Sequence, residues 1–150
     1  MTDILTKTGI KTMTLSAIKE QVETLGDLIN APHYLYPTYG HSVDGALPHV
    51  ELDDSGTFHF VVVERGQELE RQTTTALDEL LFWIFDSITF SMACRFERAN
   101  RNHNQDFRRT LFRYQEELLG CLNVNWQARK RTDHNLTLVR HPFTDDVFNA

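Results

Sequence analysis

Along the chain the spacing of apolar residues changes period several times, and each change predicts an element. Leu15, Ile18, Val22, Leu25 and Ile29 recur at 3-4-3-4 spacing, which lays one apolar stripe along an otherwise polar helix over residues 15–30. Thr14 stands where an N-cap belongs. Ala31-Pro32 ends the run, because the residue before proline is driven out of helical dihedrals. Residues 31–47, with two prolines, two glycines and three tyrosines, predict a long loop that is either packed down or functional. Alternation then takes over: Val50 and Leu52 against His49 and Glu51, and Phe58, Phe60 and Val62 against His59 and its neighbours. DDSG at 53–56 is a turn, and Arg65-Gly66 suits a two-residue hairpin in which glycine supplies the positive φ. An antiparallel three-stranded meander over about 48–73 follows, one face on a core and one in solvent.

Helical spacing returns with Leu77, Leu80, Leu81, Ile84, Phe85, Ile88, Met92 and Phe96. Phe82, Trp83 and Phe90 widen this stripe nearly round the circumference, so helix 76–101 is predicted as the buried centre of the fold. Thr74 or Thr75 is its expected cap. Asp78 and Glu79 sit at the end where the helix dipole favours negative charge, and Arg95, Arg98 and Arg101 at the other. Asn104 is the expected cap of a third helix carrying Phe107, Leu111, Tyr114, Leu118, Leu122 and Trp126 and closing on Arg129-Lys130-Arg131. Leu136, Leu138 and Val139 predict a short strand. Residues 1–13 are Thr-rich and aperiodic and predict a disordered start, with Met13 as a second possible start position; 14–144 form one domain and 145–150 a tail. The order N-terminal helix, three-stranded antiparallel meander, two long C-terminal helices is a single-domain α+β fold.

Composition narrows the setting. The chain has 150 residues, 41% hydrophobic and 24% charged, the make-up of an ordinary soluble domain. Its start lacks the apolar core of a signal peptide, and two cysteines, Cys94 and Cys121, are too few for a disulfide framework, which points to a cytoplasmic location. Both lie in helical apolar patterns and read as buried, inert thiols.

Charge changes the picture more. Residues 1–90 hold 5 Lys/Arg against 14 Asp/Glu, a net −9; residues 91–150 hold 10 against 7, a net +3. An acidic first part argues against nucleic acid as a direct ligand and permits a basic protein partner. Asp44, Asp53, Asp54, Glu64, Glu68 and Glu70 cluster in the long loop and meander, beside Glu51. They read equally as a solvated face or as a surface that steers a partner, for which Tyr34, Tyr36 and Tyr39 are aromatic anchors.

Candidate chemistry is thin. His33, His41, His49 and His59 lack the i,i+4 spacing of a helical zinc site, so neither a metal nor another cofactor is expected. The segment His103–Arg109 brings His103, Asp106, Arg108 and Arg109 together, a set that suits phosphate binding or acid–base work, but a helix start with Asp106 in the first turn and paired arginines is the preferred reading. No GxSxG, Cys–His pair or Gly-rich phosphate loop accompanies it.

The stretches VVVERGQELERQTTTALDELLFWIFDSITFSMA and FRRTLFRYQEELLG, with PTYG at 37–40 and PHVE at 48–51, resemble bacterial immunity proteins of polymorphic toxin systems, including those of contact-dependent growth inhibition. The resemblance runs from about Leu15 to Phe143. It implies a non-enzymatic, stoichiometric inhibitor whose partner is a cognate toxin domain, often a nuclease, and it carries no residue motif, so the docking residues above rest on charge and aromatic content alone. The alternatives are a small enzyme using His103–Arg109, or an adaptor or secretion chaperone using the Tyr-rich loop.

Overall fold

The computed structural model describes residues 12–145. Helix α1 spans Leu15–Leu28, and the Thr14 hydroxyl accepts the Ala17 N–H at 3.1 Å as its cap. Its end is a Schellman closure. Asn30 turns left-handed (φ 53°), and the Ala31 N–H reaches back to the Gly26 carbonyl at 2.9 Å. A 3₁₀ turn at His33–Leu35 leads to β1 (Thr38–Tyr39), then β2 (His49–Leu52), β3 (Phe58–Glu64) and β4 (Gln67–Thr74). Three helices follow: α2 (Leu77–Ala99), α3 (Phe107–Leu122) and α4 (Val124–Arg140).

The sheet runs in the order β1-β2-β3-β4. The antiparallel meander stands as expected, and Arg65 (φ 53°) with Gly66 (φ 72°) makes the two-residue turn between β3 and β4. One strand was not anticipated. Thr38–Tyr39, inside the predicted loop, pair in parallel with His49–Val50 and make the sheet mixed and four-stranded. Two residues are too few to show alternation, and Pro37 sets the extended entry that lets them pair.

Helix α2 is the centre. Leu80, Leu81, Phe82, Ile84, Phe85 and Ile88 are buried, with β3 and β4 against one side and α3 against the other. Each large side chain removed from water here contributes about 2 kcal/mol. Two of the residues expected to complete its apolar girth do not: Trp83 is half-buried and Phe90 is 51% exposed, because the sheet and α3 leave a strip of α2 open. Neither Thr74 nor Thr75 caps α2 by a helical bond. Ala76 takes that position, and the Thr74 hydroxyl accepts the Ala76 N–H at 3.0 Å.

The C-terminal third departs most from expectation. Asp106, not Asn104, caps α3, and α3 stops at Leu122. Asn123 is extended (φ −165°), and its side chain accepts the Asn125 and Trp126 N–H groups, so a separate helix α4 begins there. Trp126 therefore belongs to α4, where its ring meets Phe82 and Phe85 at centroid distances of 6.3 and 6.1 Å. The strand expected at Leu136–Val139 is the last turn of α4. Leu138 and Val139 are adjacent rather than alternating, and the helix ends only at His141, the residue before Pro142. Cys94 is half-buried and Cys121 exposed, so the second thiol is not a core group. The expected disordered start lies outside the described residues up to position 11, while Met13 packs against the core; of the expected tail, 146–150 lie outside them too.

Candidate functional site

Sheet register decides which acidic residues share a surface. On the face carrying Phe58, Phe60 and Val62, the partners on β4 are Thr74, Gln72 and Glu70. The other face carries His49, Glu51, His59, Val61, Arg71 and, beyond a bulge at Leu69, Glu68. Glu68 and Glu70, expected on one solvent face by simple alternation, thus stand on opposite faces, because the bulge inserts one extra residue between them.

The outer face is a connected polar network. Arg71 donates to Glu68 at 2.7 Å, to Glu51 at 3.2 Å and to His59 Nδ1 at 2.9 Å. An arginine only donates, so His59 Nδ1 accepts and the ring proton sits on Nε2, which donates to Asp53 at 2.8 Å. Glu51 receives His49 Nε2 at 2.7 Å. Hydrogen bonds from these partners hold the Glu51, Glu68 and Asp53 carboxyls below the usual carboxylate range, with His49 the largest cause for Glu51, Arg71 for Glu68 and His59 for Asp53. Beneath them Val61, flanked across the ladder by His49 and Arg71, is fully buried. Asp53 also accepts the Ser55 and Thr57 N–H groups and so builds its own turn.

The remaining acidic residues of the cluster have no cationic partner among the described residues, although Gln72 donates to Glu70 at 2.7 Å. Among the described residues no ion pair reaches Asp44, Asp54, Glu64 or Glu70, and all four are exposed. Asp44 and Glu64 meet at the hairpin tip, where Asp44 accepts the Gly66 N–H at 3.4 Å and the Ala46 N–H binds the Val63 carbonyl at 3.0 Å. Asp53 and Asp54 lie at the far end of β3, roughly 20 Å away for a strand of this length.

The three tyrosines separate by role. Tyr34 is 65% exposed and accepts Arg95 at 3.0 Å. Tyr36 is buried, its hydroxyl lying 2.0 Å from where a Cβ on Gly26 would be, so the helix needs glycine there. Tyr39 is half-buried, and burial, with Glu23 nearby, pushes its phenol well above the ordinary value. They line a cleft of about 480 Å³ with Lys19, Glu23 and His41. Glu20, Glu23 and Asp27 of α1 were missed as candidates; their 3-4 spacing places them on one helix face, a signal present in the sequence.

At the opposite end, Asp106, Arg108 and Arg109 of the segment His103–Arg109 are occupied. Asp106, buried, binds Arg108 at 2.8 Å and accepts the Thr144 N–H at 3.0 Å, and the Arg108 contact is the main cause holding its carboxyl well below the usual range. Arg108 donates further to the carbonyls of His141 and Pro142, and Arg109 pairs with Asp145 at 2.7 Å. The segment ties the C-terminal stretch to α3. His103 is exposed and lines a cleft of about 430 Å³ with Cys94, Glu97 and Arg98.

Two further facts bound the reading. Among the described residues no helix is long and apolar enough to cross a membrane, and no group of three His, Cys, Asp or Glu residues could hold a metal ion. No curated protein and no solved structure matches this chain. A family model does: Immunity protein 63 matches residues 53–136, from the β2–β3 turn into the last third of α4. A match over that span, covering the strands β3 and β4 and the central helices described above, places the chain in the Immunity protein 63 family.

Proposed function

We propose that this immunity protein neutralises a nuclease toxin delivered by contact-dependent growth inhibition or a related polymorphic system, binding the toxin domain stoichiometrically in the cytoplasm without catalysing a reaction. The observation that carries the reading is how charge is spent. Of ten Lys/Arg in residues 91–150, seven have a carboxylate partner. Of thirteen Asp/Glu in residues 12–90, eight have no basic partner among the described residues. A surface of leftover carboxylates on a rigid sheet matches a cationic substrate groove by imitating phosphate charge, and its rigidity lowers the ordering cost of binding.

In this reading Asp44, Asp54, Glu64 and Glu70, which have no basic partner among the described residues, face the toxin together with Glu68, which Arg71 holds, and Asp53 holds the turn behind Asp54. Glu20, Glu23 and Asp27 extend the field along α1. Tyr34 and Tyr39 are the aromatic anchors, and Tyr36 fixes the loop that presents them. The commitment of Arg108 and Arg109 to the C-terminal stretch favours this over an enzyme built on His103–Arg109.

The test is binding kinetics with the toxin domain encoded beside this gene. The association rate should fall about tenfold from low to physiological salt. Glu64→Ala and Asp44→Ala should each slow it about twofold to fivefold, and His103→Ala should leave protection of toxin-expressing cells intact. Binding indifferent to salt and to both carboxylates would move the interface to the cleft beside His103 and Arg98.

A further inference from the structure

The two edges of the sheet are unequal. One is closed by the two-residue β1, too short to template a further strand. The other is β4, eight residues long and paired on one side only, with Gln67 to Arg71 and Thr73 exposed. An open edge of this length presents a row of main-chain donors and acceptors to any extended segment that arrives. Natural edges are usually shortened or guarded by charge, and here the guard has one sign. Glu68 projects from the outer face and Glu70 from the other, with Leu69, 58% exposed, at the bulge between them.

That sign argues against self-pairing. A second copy added antiparallel about Glu70 sets Glu70 opposite itself on one face, and one added about Glu68 sets Glu68 opposite itself on the other. Like charges directly opposite each other destabilise a ladder. Arg71 offers no relief, because Glu51, Glu68 and His59 already hold its donors.

We infer that β4 is the docking edge for an extended segment of the toxin that presents Lys or Arg on both of its faces and joins the sheet as a fifth strand. Main-chain hydrogen bonds supply the affinity, while Glu68 and Glu70 select basic side chains on both faces of the added strand. The inference rests on the toxin-binding reading above and specifies how that binding is made.

The experiment is amide hydrogen exchange of the full chain, free and with the toxin domain encoded beside the gene. In the complex, amides within 67–74 that exchange freely in the isolated protein should slow at least tenfold. Glu70→Lys should weaken binding at least tenfold without changing the melting temperature. Glu117→Lys, the same charge change on exposed α3 surface, should leave binding within about twofold. A complex that forms without protecting 67–74 overturns the strand-addition inference and leaves the toxin-binding reading standing. No complex at all overturns both. Concentration-dependent protection of 67–74 in the free protein, with a dimer in sedimentation, assigns the edge to a second copy and also overturns the inference.

Discussion

Two charged regions of this molecule look alike as sequence and differ as structure. The acidic loop and hairpin, residues 44–70, and the basic stretch from Arg95 to Arg131 are each dense in charge of one sign. In the folded chain most of the bases are consumed. Arg129 forks onto Glu79 at 2.7 and 2.8 Å and lies over the Phe82 ring, Lys130 binds Asp86, Arg131 shares Glu116 with His134, and Arg108 and Arg109 hold the C-terminal stretch. In the acidic region Glu51, Asp53 and Glu68 are paired within the sheet, while Asp44, Asp54, Glu64 and Glu70 have no ion pair among the described residues. Charge density alone therefore does not distinguish the two regions; the remainder after internal pairing does, and pairing across fifty residues is decided by packing.

The comparison breaks first if its shared core is wrong. Ile84, 1% exposed on α2, supports both regions. Ile84→Asp buries a charge without a partner and should cost more than about 4 kcal/mol, abolishing the cooperative melt in circular dichroism. A soluble, cooperatively melting variant would mean the two regions do not rest on α2.

The consumed region comes next. Asp106→Asn leaves Arg108 half-paired and should cost about 3 kcal/mol, read as a lowered midpoint in urea. The Asp106 carboxyl is depressed in the folded chain, so its contribution is fully present above the unfolded carboxylate range, near pH 4, and is lost as pH falls below it. The wild type should lose stability on acidification through that range, and Asp106→Asn should flatten the loss. An unchanged profile would make the pair an ornament.

On the loop side, Gly26→Ala drives a methyl into the Tyr36 hydroxyl and should cost about 1–3 kcal/mol. Proteolysis within 31–47 should accelerate in parallel. Stability loss with no change in cleavage would show that Tyr36 does not hold the Tyr34 loop.

The smallest effect sharpens the contrast most. Arg71, part-exposed, is the one arginine or lysine on the strands of the sheet's outer face among the described residues, beside His49 and His59. Arg71→Gln should cost no more than about 1 kcal/mol. By releasing Glu51 and Glu68 it should raise the association rate with the toxin domain about twofold at low salt. A slower association would mean Arg71 itself touches the partner.

Local patterning told much of this from the chain alone. The α1 stripe from Leu15 to Ile29, the Arg65-Gly66 turn, the Phe58–Val62 face and the apolar breadth of α2 follow from side-chain period and backbone sterics, which act within a few residues. So did the acidic bias of the first part, since formal charge needs no geometry. What the chain alone did not reveal depends on contacts far apart in sequence. Thr38–Tyr39 become a strand only because β2 lies beside them, and Glu68 and Glu70 part company only because a bulge answers the packing of β3. The division at Asn123 was written locally, in a residue able to cap, yet Trp126 repeated the α3 spacing closely enough to hide it. That Glu79 and Asp86 are paired was settled by α4 laying Arg129 and Lys130 against α2, and the pairing of Glu51 and Glu68 by the register that brings Arg71 between them. Pair energies of that kind depend on distances that exist only once the layers have packed.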